Sequence, residues 1–364
     1  MIAENTMWPE RRLLALFCIE HPIVLAPMAG SMDWELAAAV AEAGGLGSLP
    51  CAMLSAEQVR EQIGKFRART KGPLNLNFFC HRPPKRDNTR EAAWRDRLKP
   101  YYAELGVDPN TPPPGGGRAP FDDAMCEVVV ELKPEVVSFH FGLPESSLLG
   151  RVKAAGCKVM ASATTVAEAR WLEERGVDAV ITQGYEAGGH RGMFLTDNLA
   201  AQPGTMALVP QVVDAVKVPV IAAGGIADGR GIAAAFALGA AGVQIGTAFL
   251  HTPEARISPM HRAALGNVRD DDTVLTNVIS GRPARGILNR LLREVGPISE
   301  IAPEFPLATP AVAPLRAAAE KRGSGDFSPL WSGQAGRLGR ALPAAELTRK
   351  LAAEALERMR GLSG

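Results

Sequence analysis

Short apolar runs alternate with helical periodicity along most of the chain. The runs are Ile23–Ala26, Gly45–Leu49, Leu74–Phe79, Val136–Phe141, Lys158–Ser162, Ala179–Thr182, Val218–Ala223 and Gly242–Gly246. Several are continuously apolar, which is the pattern of parallel strands covered on both faces. Between them the spacing predicts helices over Trp34–Ala43, Ser55–Arg67, Phe121–Leu132, Ser146–Ala155, Val166–Arg175, Pro210–Val216 and Asp228–Leu238. Ser55 is a natural N-cap, and Gly44-Gly45 a natural stop. Repeated β-α-β units give a closed barrel or an open doubly wound sheet. Eight units packed into residues 23–246 favour a TIM (β/α)8 barrel.

Two connections exceed simple turns. Residues 80–119 follow the third run and contain TPPPGGG at 111–117, and residues 184–209 follow the sixth. Both leave the ends of strands where barrel active sites are built. The division expected is a barrel over 1–253 that includes the 80–119 insertion, a mostly helical lid over 254–340, and a closing helix over 341–364 that returns to the barrel. Helices are expected near Ile287–Glu294 and Leu347–Met359.

Composition narrows the function. Forty basic residues against thirty-nine acidic ones argue against a nucleic-acid or acidic-membrane binder. The apolar runs are too short to span a bilayer. The five cysteines, Cys18, Cys51, Cys80, Cys126 and Cys157, are odd in number, scattered and without a CxxC pair. They predict no disulfide framework, no metal site and a reducing compartment. Acidic Glu4 and the short run Leu13–Ile19 make a poor signal peptide, so a cytoplasmic protein is expected.

Candidate chemistry lies at the ends of the runs. AAGGI (Ala222–Ile226) and QIGTAFL (Gln244–Leu250) end the last two. In a barrel these positions offer backbone amides to a phosphate, with Gly224, Gly225, Gly246 and the Thr247 hydroxyl close to it. Each loop alone equally fits a plain tight turn. QGYEAGGHRG (Gln183–Gly192) puts Gln183 at a strand tip, Gly188-Gly189 where a planar ring could approach, and His190 among glycines. His140 in SFHFG ends an otherwise apolar strand and reads alone as a satisfied core histidine; in a barrel it shares one mouth with His190. PIVLAPMAG presents Met28, and LNLNFFCH presents Asn77. Seven basic residues against three acidic ones over His81–Lys99 read as a solvated helix face or as a basic lid for a small anion.

Together APMAG, LNFFCH, SFHFG, QGYEAGGHRG, AAGGI, QIGTAFL and SGRPARGILN (Ser280–Asn289) resemble the nitronate monooxygenases of the bacterial class I type, formerly called 2-nitropropane dioxygenases. The resemblance covers about Pro22 to Asn289. It implies an FMN-binding TIM barrel with a helical lid. It also implies oxidation of alkyl nitronates such as propionate 3-nitronate by O2, through a flavin semiquinone, to a carbonyl compound and nitrite without a nicotinamide. The partners implied are the small nitronate and O2 alone, in a monomer or homodimer. The flavin contacts implied are Ala26, Pro27, Met28, Asn77, Gln183, Gly188 and Gly189, with Gly224, Gly225, Gln244, Ile245, Gly246 and Thr247 at the phosphate end. His190 matches the histidine at the flavin's reacting face and His140 its neighbour in the substrate pocket. Because a nitronate is already an anion, holding and polarising it suffices for His190. One departure concerns tyrosine. Characterised relatives carry substrate-side tyrosines in their lids, whereas Tyr101, Tyr102 and Tyr185 are the only three here.

Three rivals are weighed against this reading. FMN-dependent enoyl-acyl carrier protein reductases share a GGH loop but usually carry an acidic residue where Gln183 stands, and lack His140. IMP dehydrogenase-like barrels need a cysteine after the sixth strand, and none follows Cys157. The third is a flavin-binding protein without turnover, against which the two retained histidines argue.

Overall fold

The computed structural model describes residues 8–111 and 118–362; Glu4 and residues 112–117 of the Pro/Gly stretch lie outside them. All eight apolar runs form strands: β1 (Ile23–Leu25), β2 (Gly47–Pro50), β3 (Leu74–Phe79), β4 (Val136–His140), β5 (Lys158–Ala163), β6 (Ala179–Gln183), β8 (Val220–Ala223) and β9 (Gly242–Ile245). Between β6 and β8 comes the two-residue β7 (Gly189–His190). The eight pair in parallel in the order β1-β9-β8-β6-β5-β4-β3-β2. A parallel bridge from Val24 to Leu46 joins the two outer strands and closes the ring. This is the TIM barrel, with its helices outside.

Burial explains why these runs are strands. Every residue of β1, β2, β3, β6 and β8 is buried, with the barrel interior on one face and a helix on the other. The helices start at side-chain caps. Ser55 and Gln58 form a reciprocal capping box before Ala56–Arg69, and Asp228 accepts from the amides of Arg230 and Gly231 before Gly229–Ala237. At Gly47 a Cβ would overlap the carbonyl of Ala37, so glycine lets the helix Trp34–Glu42 lie directly on β2. The helix expected from Pro210 starts earlier, at Thr205, and carries Pro210 inside it. Its first turn is anchored by Glu186, which accepts from the Thr205 amide and hydroxyl.

A second core forms beside the barrel mouth. The insertion contains the helix Asn88–Leu105, and its charges hide an apolar stripe. Trp94, Leu98, Tyr101, Tyr102 and Leu105 pack against Val278, Leu291, Leu292, Val312, Leu315 and Phe327. The insertion therefore shares a core with the segment after the barrel, and its apolar face is not solvated.

That later segment is less helical than expected. It contains β10 (Thr273–Thr276) and β11 (Ala284–Ile287), an antiparallel pair that β7 extends through Ala284 opposite His190. The helix expected at Ile287–Glu294 begins at Arg290, because Ile287 still belongs to β11. The last helix, Ala344–Leu362, returns to the barrel and buries Leu347, Leu351, Ala352 and Ala355 in its outer layer. Among the described residues no helix is long and apolar enough to cross a membrane. All five cysteines are free thiols.

Candidate active site

The C-terminal ends of the strands surround one cleft, roofed by the tail. Of the residues expected at the site, Pro27, Met28, Asn77, His140, Gln183, Gly188, Gly189, His190, Gly224, Gly225, Gln244, Gly246 and Thr247 line it. Ala26 and Ile245 stand behind the lining. Ile245 is buried in the barrel core, and its carbonyl accepts the Ala26 amide at 2.9 Å.

The loop after β6 is held from below. Gln183 Nε2 donates to the His190 carbonyl at 3.0 Å, and Gln183 Oε1 accepts the Gly192 amide at 2.7 Å. The carboxamide thus ties its own loop shut. Beneath it lies Arg191, fully buried. Its guanidinium donates to the carbonyls of Gly184 at 2.5 Å and Gln183 at 2.8 Å, and to Gln202 Oε1 at 2.9 Å. Gln202 donates to Thr164 Oγ1 at 3.0 Å, and that hydroxyl donates to Glu168 at 2.7 Å. Burial pulls Arg191 down to about 10, so it remains a cation at neutral pH.

His140 is spent on this support. Its Nε2 lies 3.2 Å from the His190 carbonyl, which can only accept, so Nε2 carries the proton. Its Nδ1, 3.1 Å from Ser162 Oγ, then accepts. Both ring nitrogens are satisfied, and burial pushes His140 down to about 3. It borders the cleft as a neutral ring that positions His190.

His190 differs. Nε2 lies 2.9 Å from Ser280 Oγ, and Nδ1 has no protein partner among the described residues. Burial, reinforced by the charge of Arg118, lowers its pKa well below the usual histidine range. The ring at the cleft is therefore neutral near pH 7, and the protonated, anion-holding imidazole considered for it is disfavoured. Around it stand Phe305, Trp331 and Phe141, with ring centroids 5.2, 5.6 and 6.1 Å away.

At the opposite end Gly224 and Gly225 both take positive φ, 110° and 71°. Thr247 Oγ1 accepts the Gly333 amide at 2.9 Å, which leaves the hydroxyl proton free to donate. Gln334 donates its amide to the Glu186 carbonyl at 3.0 Å, pinning the tail across the loop. The tail approaches so closely that a Cβ on Gly188 would lie 2.5 Å from the Gly333 nitrogen. Gln244 Oε1 lines the cleft side of β9, buried and without a hydrogen-bond partner. Among the described residues no group of His, Cys, Asp or Glu could hold a metal.

Sequence reasoning missed Arg118, Ser162, Trp331, Gly333 and Ala335, which also line the cleft. Ser162 follows directly from register, at the end of β5 beside His140. The others come from the insertion and the tail, which no local pattern ties to the barrel. None of the three tyrosines reaches the cleft. Tyr101 and Tyr102 are buried in the second core, and Tyr185 lies under the Arg285 guanidinium.

Comparison with known proteins agrees with this geometry. The family profile described as nitronate monooxygenase matches residues 10–354. A nitronate monooxygenase of Pseudomonas aeruginosa is 44% identical over 345 residues, covering 94% of this chain and 98% of its own. Among solved structures, a nitroalkane oxidase from Streptomyces ansochromogenes superposes with a TM-score of 0.88 at 40% identity, covering 96% of this chain and 99% of its own. FabK from Thermotoga maritima gives 0.75 at 30% identity, covering 98% and 99%.

Proposed function

The chain belongs to the nitronate monooxygenase family, and from that premise we propose an FMN-dependent enzyme that uses O2 to convert alkyl nitronates to a carbonyl compound and nitrite without a nicotinamide. The carrying observation is the His190 ring. It is neutral, tethered at Nε2 by Ser280, and free at Nδ1 beside a cleft whose far end is built from glycine turns.

The lining residues fit a flavin mononucleotide. Gly224, Gly225, Gly246 and the free Thr247 hydroxyl proton suit a phosphate. Gln244 Oε1, buried beside these turns without a partner, is an acceptor that a donor on the bound cofactor would satisfy. Gly189, where a Cβ would meet nothing within 4 Å, leaves the loop open to a ring, and Met28 offers an apolar contact. Bound there, FMN would supply the redox chemistry that nitronate oxidation by O2 needs.

The protein's part is to hold the substrate. With the Ser280 hydroxyl turned toward Nε2, the neutral imidazole carries its proton at Nδ1 and donates a hydrogen bond to an anionic nitro group. With the hydroxyl donating instead to the Arg282 carbonyl at 3.3 Å, Nε2 carries the proton and Nδ1 is a base for a neutral nitroalkane. Phe305, Trp331 and Phe141 keep the site dry, which strengthens either bond.

The test is an absorption spectrum of the purified chain, then O2 uptake with a pre-formed nitronate, and separately with NADPH and an enoyl thioester. A flavin spectrum with nitronate-dependent uptake is expected. A colourless protein, or oxidation of NADPH by the enoyl thioester alone, would overturn the reading.

A further inference from the structure

We propose that Arg118 sets the substrate preference of this cleft by binding a second anionic group, a carboxylate, at the far end of the nitronate chain. The proposal rests on the nitronate reading above and names the residue that would read the carboxylate of a substrate such as propionate 3-nitronate.

Arg118 lines the cleft together with His190, although it comes from the insertion and not from the barrel. Its guanidinium lies over the Phe305 ring at 5.9 Å. It donates one hydrogen bond, to Thr309 Oγ1 at 3.2 Å, and pairs with no carboxylate among the described residues. The charge that acts on it is another cation, Arg316. Burying a guanidinium without an anion is costly, and the cost is recovered when a ligand supplies the anion. The fork of N–H donors left over suits a carboxylate bound through both oxygens.

The spacing admits a short chain. The Phe305 ring contacts both groups, 5.2 Å from the His190 ring and 5.9 Å from the guanidinium carbon, so the two are at most about 11 Å apart. A three-carbon chain separates nitronate and carboxylate oxygens by about 5 Å from covalent lengths. A hydrogen bond of about 3 Å at each end brings that to about 11 Å. His190 is neutral and gives a nitronate no countercharge, so Arg118 is the cation at this end of the cleft that an anionic substrate meets. Arg282, the other nearby arginine, does not line the cleft: it lies over Phe141 at 4.1 Å and donates to the Met193 carbonyl.

The experiment compares Arg118→Met and Arg118→Lys with the parent. Two pre-formed nitronates are used, those of 3-nitropropionate and of 1-nitrobutane, which match in length and differ in the carboxylate. Loss of one partner of a desolvated charge pair predicts a KM for the carboxylated nitronate raised roughly thirtyfold or more in Arg118→Met. A much smaller change is expected for the butyl nitronate, with kcat little altered and partial recovery in Arg118→Lys. Equal losses on both nitronates, or no loss on either, would overturn the proposal. Calorimetric binding of succinate against butyrate is measured in parallel. The parent should prefer succinate, and Arg118→Met should lose that preference; no preference in the parent would also overturn the proposal. If the parent oxidises neither nitronate, the reaction assignment fails and the succinate arm still decides Arg118.

Discussion

Replacing Arg191 with methionine should damage both stability and turnover. The side chain is fully buried and holds three acceptors: the carbonyls of Gln183 and Gly184 and the Gln202 amide oxygen. Methionine fills much of the volume and leaves the Gln183 carbonyl and the Gln202 amide oxygen without that donor in a dry interior, at about 1–3 kcal/mol each, while the Gly184 carbonyl keeps only the Ala187 amide. The desolvation of the guanidinium is no longer paid, which offsets part of this, so the net loss is about 4 kcal/mol. At about 2.1 cal/mol/K per residue, unfolding of 364 residues carries an entropy near 0.8 kcal/mol/K, so Tm should fall by about 5 °C. The loop that carries His190 would lose its floor, and a displacement of about 1 Å at a reacting group can cost about a hundredfold in rate. Differential scanning calorimetry and O2 uptake, normalised to bound flavin, read the two effects. Arg191→Lys should fall between parent and methionine, because one ammonium cannot reach all three acceptors. A methionine variant with Tm within about 1 °C of the parent would refute the energetic argument. A lowered Tm with unchanged kcat would show that the network supports the fold without positioning His190.

Other consequences follow from the same geometry. Gly225→Asp places a carboxylate at a positive-φ turn facing the expected phosphate, so the variant should purify without flavin; a normal flavin spectrum would remove this loop from the site. His190→Asn should retain flavin and lose at most about a hundredfold on a pre-formed nitronate, since an amide still donates one hydrogen bond, while any activity on the neutral nitroalkane should vanish; equal losses on both would mean that the base, not the donor, is what turnover needs. Stability should fall on acidification from about pH 6.5. Burial lowers His81 and His261 to about 4 and His140 to about 3, so below 6.5 the unfolded chain takes up protons that the native state refuses. Each costs up to about 1.4 kcal/mol per pH unit until its native pKa is passed. A Tm that stays flat between pH 7 and 5 would contradict this.

The barrel was legible because its strands solve a local problem. A parallel strand covered on both faces is apolar at most positions; β1 and β8 announce that in every residue, while β3, β4 and β6 each carry two polar residues among their apolar ones. The glycine turns were legible for a similar reason, since Gly224 and Gly225 adopt backbone angles that other residues avoid. The charge run of the insertion was legible as a solvated face, and Arg82, Lys85, Arg86, Arg95 and Lys99 are exposed; what it hid is the stripe Trp94, Leu98, Tyr101, Tyr102 and Leu105, which does recur at helical spacing. β7 had no signal to give. It is two residues long, and its partner β11 lies more than ninety positions away, from Gly189 to Arg285. Gln183 was expected at the ligand from its place at a strand tip and from the resemblance; it lines the cleft, and its amide also ties its own loop shut, which residue type alone does not announce.

These differences explain why the His190 end of the cleft is harder to read than the glycine-turn end. The glycine-turn end belongs to the barrel: β8, β9 and the turns after them are set by the sheet register, and single-residue rules describe them. The His190 end is assembled where two cores meet. His190 leaves the barrel after β6 and pairs with Ala284 of the antiparallel sheet. Its imidazole is tied to Ser280 of the tail, its carbonyl to Gln183 and His140 of the barrel, and its aromatic wall is Phe305 and Trp331. The second core, through the insertion helix, also sets the frame that carries Arg118. A change in either core therefore reaches the histidine without touching it, while the turns at the other end stay fixed by the sheet. Substrate preference can then be altered by repacking the insertion and tail, with the glycine-turn end left as it is.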